Sequence, residues 1–545
     1  NMPFPLFNSI ASWFLKKRMH QIELFLKYPV EVQQEVLMDL ISFSKNTKIG
    51  YQYDFNSIKS YTEFKERVPI RSYEEIAEDI NKSREGEDNL FWPTKIKWYA
   101  KSSGTTDSRS KFIPVSTEAL EDCHYKAGKD MLSLYINNNT NTQLFTGKSL
   151  RLGGSQELHQ NQQNYFGDLS SIIIDNMPLW AEINSTPSMR VSLMSDWDSK
   201  IKAILNECLS ENVTSLVGVP SWMLVLLNQG LVKMNKSDIF EIWPNVEVYF
   251  HGGVSFRPYK NQYDQIFSSS PIHYYEIYNA SEGFFAIQDQ NHSDQLLLML
   301  DYGIFYEFIP IGENLDSIVD IQNVKLFVEY EMVITTNGGL WRYRIGDVVR
   351  FTSLSPFRIQ ITGRTKHFIN AFGEEVVIEN TDKAIEEASI QTGVKIVDYT
   401  VAPIYMSENN SRGSHQWLIE FKDTPTNLET FGKMLDQKLR ELNSDYDAKR
   451  YKNITMSSPK ISVAQKGLFD RWQRNSNRIG GQHKIQRLSN DRKFIENLFS
   501  GKKSKGQHRY HWNVNSMFSD ITSGIFFISL NGERINATRK ILYLK

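Results

Sequence analysis

The sequence predicts a mixed α/β protein with a large N-terminal body and a small α+β C-terminal cap domain. Between residues 96 and 365, short apolar segments such as 215–219 and 246–250 alternate with longer segments, which is typical of strands connected by helices. Beyond this region, two strand-like segments precede a strongly amphipathic one at residues 427–443. A chain of 545 residues is long enough for more than one domain.

The individual elements follow from local patterns. Residues 1–95 are predicted to be mostly helical, because Pro29 stands near the start of an amphipathic segment at residues 28–45. The predicted strands are residues 96–100, 215–219, 246–250, 304–308, 331–335, 396–402 and 417–421. Leu428, Phe431, Leu435, Leu439 and Leu442 share one face of the predicted helix 427–443. The predicted domains are residues 1–363, 364–500 and a basic extension, 501–545.

Composition excludes several classes of protein. The formal net charge of −1 argues against a dominant nucleic-acid or membrane partner. Cys123 and Cys208 are too few for a disulfide framework, and neither has metal-ligand spacing. The apolar residues 4–15 precede a basic triplet, the reverse of a signal peptide, and no apolar run approaches the ~18 residues of a membrane span. We expect a cytoplasmic monomer or weak homo-oligomer that acts on small molecules.

The C-terminal extension differs from the rest of the chain. Residues 501–545 contain eight lysines and arginines against two acidic residues. Such a tail binds nucleic acid in some proteins, but a poorly ordered extension is the commoner interpretation. We therefore predict no nucleic-acid partner.

A polar loop at residues 101–111 is the first candidate site. It follows the predicted strand 96–100, and its glycine and small hydroxyl residues suit a concave array of backbone N–H donors that attracts phosphate. The residues predicted to bind phosphate are Ser102, Ser103, Gly104, Thr105, Thr106 and Lys111. The Walker pattern G-x-x-x-x-G-K-[ST] cannot be fitted here. An ordinary surface loop is the alternative interpretation.

Three further segments place polar groups or glycines at predicted strand ends. Gly252 and Gly253 allow a flat ring to approach the backbone, or make a simple turn. The segment Y-N-A-S-E places an aromatic residue, Tyr278, and a carboxylate, Glu282, at the end of another predicted strand. The alternative interpretation is that Tyr278 is a core aromatic residue and Glu282 a solvated charge. Asp347, in W-R-Y-R-I-G-D, suits ribose hydroxyls, or it pairs with Arg342 or Arg344.

A late glycine-started segment, G-G-Q-H-K, contains Lys484. A lone lysine is usually an exposed surface charge. Its position after the other candidate segments, rather than the lysine itself, suggests a function.

Taken in order, these motifs resemble those of the adenylate-forming superfamily of acyl-CoA synthetases, luciferases and peptide-synthetase adenylation domains. The set S-S-G-T-T-x-x-x-x-K, Y-N-A-S-E, W-R-Y-R-I-G-D, G-R-T-K-H-F-I-N-A-F-G-E-E and G-G-Q-H-K spans most of the chain. More narrowly, the chain is similar to the Gretchen Hagen family, the plant auxin-responsive acyl acid amido synthetases, and especially to their bacterial branch. F-I-P-V, H-G-G-V-S-F-R-P-Y and D-Y-G-I-F-Y-E-F carry that closer likeness.

The resemblance implies an ATP-dependent ligase that adenylates a small carboxylic acid and transfers the acyl group to an amine, with Mg²⁺ as cofactor. It implies that Lys484 and Glu282 are catalytic and that Glu282 holds Mg²⁺. The nucleotide would contact the polar loop at residues 101–111, here called the phosphate loop, together with Gly252, Gly253, Tyr278, Asn279, Ala280, Ser281, Asp347 and Arg364. An apolar acyl pocket is predicted from Val219, Pro220, Trp222 and Phe284. An acyl-CoA ligase and a nucleotide-binding regulator without turnover are the alternative functions.

Overall fold

The computed structural model divides the chain into two compact units, Asn1–Phe499 and Ser500–Lys545. The residues that it describes are 18–103, 110–153, 159–160, 164–177, 179–194, 196–256, 259–365, 368–406, 412–422, 427–451, 455–469, 487–490, 524–532 and 535–543. No helix among them is long and apolar enough to cross a membrane.

The helices agree with the mixed α/β prediction. In chain order they are residues 18–27 (α1), Pro29–Ser44 (α2), Lys48–Gln52 (α3), Tyr61–Arg67 (α4), Tyr73–Arg84 (α5), Lys126–Asn138 (α6), Leu169–Asp175 (α7), Leu179–Ile183 (α8), Met189–Ser192 (α9), Trp197–Cys208 (α10), Pro220–Met234 (α11), Lys260–Ile266 (α12), Ile378–Thr392 (α13), Leu428–Leu442 (α14) and Ser444–Arg450 (α15). A π-helix, Ala119–Tyr125, runs into α6.

The strands are β1 (Trp98–Ser103), β2 (Ser110–Val115), β3 (Lys148–Leu152), β4 (His159–Gln160), β5 (Tyr165–Gly167), β6 (Ser185–Thr186), β7 (Val213–Gly218), β8 (Val248–Gly252), β9 (His273–Ala280), β10 (Gly283–Ile287), β11 (Leu296–Leu298), β12 (Ile304–Pro310), β13 (Val319–Asp320), β14 (Glu329–Thr336), β15 (Tyr343–Leu354), β16 (Phe357–Arg364), β17 (Phe368–Ile369), β18 (Val376–Val377), β19 (Ile396–Ile404), β20 (Ser414–Phe421), β21 (Lys460–Val463), β22 (Gly524–Gly532) and β23 (Ile535–Tyr543). The seven strands predicted from sequence are confirmed, with ends that differ by a few residues.

Two predicted helices form for the expected reasons. In α2, Pro29 occupies the first turn, where its missing N–H costs no hydrogen bond, and Leu37, Leu40 and Ile41 are buried. In α14, the Asn427 side chain caps the N-terminus by accepting a hydrogen bond from the backbone N–H of Thr430.

A twelve-stranded sheet forms the centre of the first unit, in the order β13-β12-β14-β15-β16-β11-β10-β9-β8-β7-β3-β6. The strands from β9 to β6 are parallel neighbours, whereas those from β10 to β13 are antiparallel neighbours. A four-stranded sheet, β2-β1-β5-β4, accompanies it. The parallel strands therefore bring several carboxyl ends to one edge, which is where α/β proteins bind ligands.

The C-terminal part of the first unit has its own core. Strands β19, β20 and β21 form a separate sheet, and α13 and α14 cover a hydrophobic cluster that includes Trp417, Phe431 and Leu435. The second unit contains a two-stranded antiparallel hairpin, β22 and β23, in continuous register from Gly524 opposite Tyr543 to Gly532 opposite Ile535.

Candidate active site

Three parallel strands end beside one another and carry predicted site residues. Strand β8 ends at Gly252, next to β7 on one side and β9 on the other. Strand β9 ends at Ala280, and the two residues Ser281 and Glu282 then turn the chain into β10. Asn279 and Ala280 are strand residues in the register of this hairpin.

Asp347 forms the centre of a hydrogen-bonded group in the antiparallel half of the sheet. It lies on β15 directly opposite Arg364 of β16, and Arg364 Nε donates to Asp347 Oδ1 at 2.6 Å. The Tyr278 hydroxyl, from β9, donates to Asp347 Oδ2 at 2.5 Å. Burial opposes the charge of Arg364, but Asp347, Glu375 and Glu282 outweigh it and raise the pKa of Arg364. Three predicted nucleotide-binding residues are thus brought together.

The sequence left Arg342 and Arg344 as alternative partners of Asp347, and both arginines pair elsewhere. Arg342 Nη2 lies 2.7 Å from Glu307 Oε1, with both side chains buried. Arg344 Nη2 lies 2.7 Å from Glu331 Oε2. Consequently Asp347 is held by Arg364, which also lies 3.5 Å from Glu375 Oε1.

Glu282 is adjacent to this group. The Tyr343 hydroxyl donates to Glu282 Oε1 at 3.5 Å. Burial raises the pKa of Glu282, although Lys111 and Arg364 both act to lower it. Burial lowers the pKa of Lys111, against the attraction of Glu282. The site therefore contains three carboxylates, Asp347, Glu282 and Glu375, and two cationic side chains, Lys111 and Arg364, within electrostatic range of one another.

The two strand-end glycines have different structural roles. A β-carbon at position 252 would lie 2.5 Å from the carbonyl oxygen of Ile277, so Gly252 is required by the close approach of β9. Gly253 has a φ of +83°, a left-handed conformation that favours glycine. Its carbonyl accepts a hydrogen bond from Asn370 Nδ2 at 3.3 Å.

We expect Gly252→Ala to destabilise the fold by about 1–2 kcal/mol, because the added methyl group forces β8 and β9 apart. Urea unfolding monitored by circular dichroism measures this change. Gly128→Ala is the matched control, since nothing lies within 4 Å of a β-carbon at that helical position. Equal stability of the wild type and the Gly252 variant would contradict the steric role.

The remaining site predictions are only partly within the described residues. Ser102 and Ser103 end β1, and Lys111 lies on β2. Gly104, Thr105, Thr106 and Lys484 lie outside the residues that the structure describes.

The predicted acyl-pocket residues are divided between two hydrophobic clusters. Val219 immediately precedes α11, which begins at Pro220, and Trp222 lies in its first turn. Phe284 belongs to the other cluster, where its backbone N–H donates to Cys123 Sγ at 3.2 Å. Val219, Pro220 and Trp222 therefore lie together at the start of α11, whereas Phe284 lies in a different cluster. The acyl pocket stays a prediction.

Two residues near the site were missed from the sequence. The Tyr343 hydroxyl contacts Glu282 from the start of β15. Its place in the segment W-R-Y-R-I-G-D, which also contains Asp347, could have revealed it. The ammonium group of Lys449, from α15, lies 4.1 Å from the centre of the Trp222 ring. No sequence motif connects Lys449 with Trp222.

This fold is that of the adenylate-forming enzymes. The chain is similar to the solved structure of the acyl acid amido synthetase AtGH3.15 in complex with 2,4-DB, with a TM-score of 0.55 and 19% identity over 86% of this chain and 93% of that one. It is also similar to 2-hydroxyisobutyryl-CoA ligase, with a TM-score of 0.50 and 13% identity over 91% of this chain and 92% of that one.

The chain belongs to the GH3 family. The family's N-terminal domain model matches residues 18–272, its central domain model residues 297–364 and its C-terminal domain model residues 379–493. The predicted family and fold class are confirmed.

Curated relatives support the same assignment. Indole-3-acetic acid-amido synthetase GH3.4 of Arabidopsis thaliana is 22% identical, over 83% of this chain and 88% of the relative. The 4-substituted benzoates-glutamate ligase GH3.12 of the same plant is 23% identical, over 81% of this chain and 88% of the relative. The chain is therefore an enzyme of the acid–amino acid ligase class. Its closer likeness to the bacterial branch stays a prediction.

Proposed function

We propose that this enzyme activates a small carboxylic acid with ATP and then transfers the acyl group to an amine, in two half-reactions at one site. In the first, a carboxylate oxygen attacks the α-phosphorus, and the bond to pyrophosphate breaks. In the second, the amine attacks the acyl carbon, AMP leaves and the amine loses a proton. The observation that carries the proposal is the group of Tyr278, Asp347 and Arg364 beside Glu282 and Lys111.

Asp347 suits the ribose of ATP. Its two oxygens accept hydrogen bonds from Tyr278 and Arg364, and each carboxylate oxygen has a second acceptor position for a ribose hydroxyl. Arg364 holds the Asp347 carboxylate in place through the hydrogen bond to Oδ1. Gly252 and Gly253, at the end of β8, would lie along the adenine.

The cationic residues can offset the repulsion between the carboxylate and the triphosphate in the first half-reaction. Two like charges about 4 Å apart repel by about 1 kcal/mol in water and by about 4 kcal/mol at an effective dielectric constant of about 20. A carboxylate that approaches a triphosphate meets several such repulsions. We propose that Lys111, the donors of residues 102–106 and Lys484 offset them, most strongly in the transition state.

The residues also fit a magnesium ion. Protein Mg²⁺ sites at nucleotides commonly use one or two carboxylates together with phosphate oxygens and water. Glu282 supplies such a carboxylate beside the proposed phosphate site, so a cluster of three acidic ligands is unnecessary, and the described residues contain none. Bound Mg²⁺ would neutralise phosphate charge and favour departure of pyrophosphate.

We propose that the N-terminal domain is residues 1–363, that the cap domain is residues 364–500 and that the cap rotates between the half-reactions. Strand β16 ends at Arg364, so the chain leaves the twelve-stranded sheet at the proposed boundary. Rotation would break the 2.5 Å hydrogen bond from the Tyr259 hydroxyl to the Ala371 carbonyl. It would withdraw Lys484 and admit the acceptor.

The acid is proposed to be aryl or medium aliphatic, because Val219, Pro220 and Trp222 offer an apolar wall at the start of α11. Cys123 and Cys208 are buried free thiols, which fits a reducing cytosol as the place of reaction. The proposed substrates are therefore small molecules, a carboxylic acid and an amine, together with ATP.

Deletion of residues 501–545 is expected to leave adenylation unchanged. The division between compact units falls at Ser500, and the C-terminal family model ends at residue 493. ATP–pyrophosphate exchange by the truncated and full-length chains measures the effect. A folded truncation without exchange would show that the extension contributes to catalysis.

The proposed function is tested by ATP–pyrophosphate exchange over a panel of aryl and aliphatic acids, followed by mass spectrometry of the products formed with amino acids or with CoA. An amide is the expected product. A thioester formed with CoA instead would favour the acyl-CoA ligase. The absence of exchange with every acid, together with tight ATP binding, would favour a regulator without turnover.

A further inference from the structure

Tyr73 connects the beginning of α5 to the strand that carries Lys111. Its side chain is buried, and its hydroxyl oxygen accepts a hydrogen bond from the backbone N–H of Phe112 at 2.8 Å. Strand β2 is an edge strand of the four-stranded sheet. An edge strand leaves the N–H groups on its outer side without a partner in the sheet. The Tyr73 hydroxyl satisfies one of these groups and thereby ties the edge of the sheet to α5.

Tyr73 contacts Lys111 at two places. The hydrogen-bonded N–H belongs to the peptide group that joins Lys111 to Phe112, and because a peptide group is planar, holding this N–H fixes the backbone from which the lysine side chain starts. In addition, Lys111 Nζ lies 5.4 Å from the centre of the Tyr73 ring, within the range of cation–π attraction. Tyr73 therefore restrains both the backbone and the ammonium group of this lysine.

Helix α5 holds Phe112 at a second point. The guanidinium group of Arg84, the last residue of α5, lies 3.6 Å from the centre of the Phe112 ring and 5.0 Å from that of Phe166. The backbone and the ring of Phe112 are thus both held by one helix. This makes α5 a rigid support for the part of β2 that carries Lys111.

The chain just before α5 pairs with the beginning of β15. The Arg71 N–H donates to the Arg342 carbonyl at 3.0 Å, and the Arg344 N–H donates to the Arg71 carbonyl at 2.9 Å. The beginning of α5 therefore contacts both β2, which carries Lys111, and β15, which carries Asp347. It sets the spacing between these two strands.

We propose that Tyr73 is a positioning residue for Lys111, which holds the lysine ammonium group toward the phosphates of ATP. The proposal rests on the phosphate role proposed above for Lys111. A lysine is a point charge on a flexible four-carbon chain, and only orientations directed at the phosphates offset their charge in the transition state. Tyr73 restricts Lys111 to such orientations, so its contribution to adenylation passes through the lysine.

The test is a double-mutant cycle of Tyr73→Phe and Lys111→Met in ATP–pyrophosphate exchange, with the acid that gives the fastest exchange in the panel. Tyr73→Phe keeps the ring and removes only the hydroxyl, and it is expected to slow exchange about 10-fold. Lys111→Met should slow exchange more. Adding Tyr73→Phe to Lys111→Met should change the rate little, because the residue through which Tyr73 acts is already lost. Isothermal titration calorimetry repeats the cycle on the Kd for ATP, which requires no turnover.

Tyr99→Phe is the matched control. Tyr99 is a fully buried tyrosine on β1, and its hydroxyl donates to Ser83 Oγ, also on α5, at 2.7 Å. Both variants should lower the melting temperature by similar amounts, but Tyr99→Phe should leave exchange unchanged. Native exchange in Tyr73→Phe, equal slowing in Tyr99→Phe, or the full 10-fold slowing in the Lys111→Met background would overturn the positioning role. Absence of exchange by the wild type with every acid would instead overturn the proposed function, and the calorimetric cycle would still decide the role of Tyr73.

Discussion

Lys484→Ala is expected to slow acyl-adenylate formation by about 10²–10³-fold, by analogy with the loss of a pre-organised oxyanion donor. The charge of Lys484 is needed while negative charge builds up between the carboxylate and the α-phosphate, so its effect belongs to that transition state. ATP binding should remain nearly normal. Supplied with a chemically prepared acyl-adenylate and the amine, the variant should form amide at close to the native rate.

Two measurements separate these steps. Pyrophosphate exchange follows the first half-reaction, and mass spectrometry of the amide formed from the prepared adenylate follows the second. Lys433→Ala, at an exposed position on α14, is the control for general loss of a lysine in the C-terminal part of the chain. Equal damage to both half-reactions would show that Lys484 acts structurally and would remove its support for the domain rotation.

Asp347→Ala is expected to weaken ATP binding by about 2–3 kcal/mol, because the charged partner of the ribose hydroxyls is lost and Arg364 and Tyr278 lose their common acceptor. Isothermal titration calorimetry measures the dissociation constant. Asp316→Ala is the control, since its side chain is exposed in a short helical turn. An unchanged Kd in the Asp347 variant would refute the ribose assignment.

Local patterns were sufficient to predict the main elements of the fold, whereas the site residues were predicted with the help of the family resemblance. The period of the apolar residues predicted α14, and the Pro29 signal predicted the start of α2. Asp347, Arg364 and Tyr278 were predicted as nucleotide-binding residues, and the structure places them in one hydrogen-bonded group. The predictions of the two helices are confirmed because each rests on residues within one element, whereas nucleotide binding by Asp347, Arg364 and Tyr278 stays a prediction.

Long-range pairing could not be predicted in the same way. The partner of Arg342 is Glu307 on β12, and that of Arg344 is Glu331 on β14, so sheet order decides which carboxylate meets which arginine. Lys449 meets Trp222 across more than two hundred residues of sequence. For Gly252 the sequence suggested either ligand approach or a turn, and it did not reveal the nearby carbonyl of Ile277, which by itself requires glycine there.

The most direct test of the central claim uses a carboxylic acid labelled with ¹⁸O in both carboxyl oxygens. If an acyl-adenylate forms, one labelled oxygen becomes the bridge to phosphorus and stays with the phosphate when the amine displaces AMP. Mass spectrometry of AMP after amide-forming turnover should therefore show one ¹⁸O per molecule. Unlabelled AMP, or ADP as the nucleotide product, would contradict the mechanism.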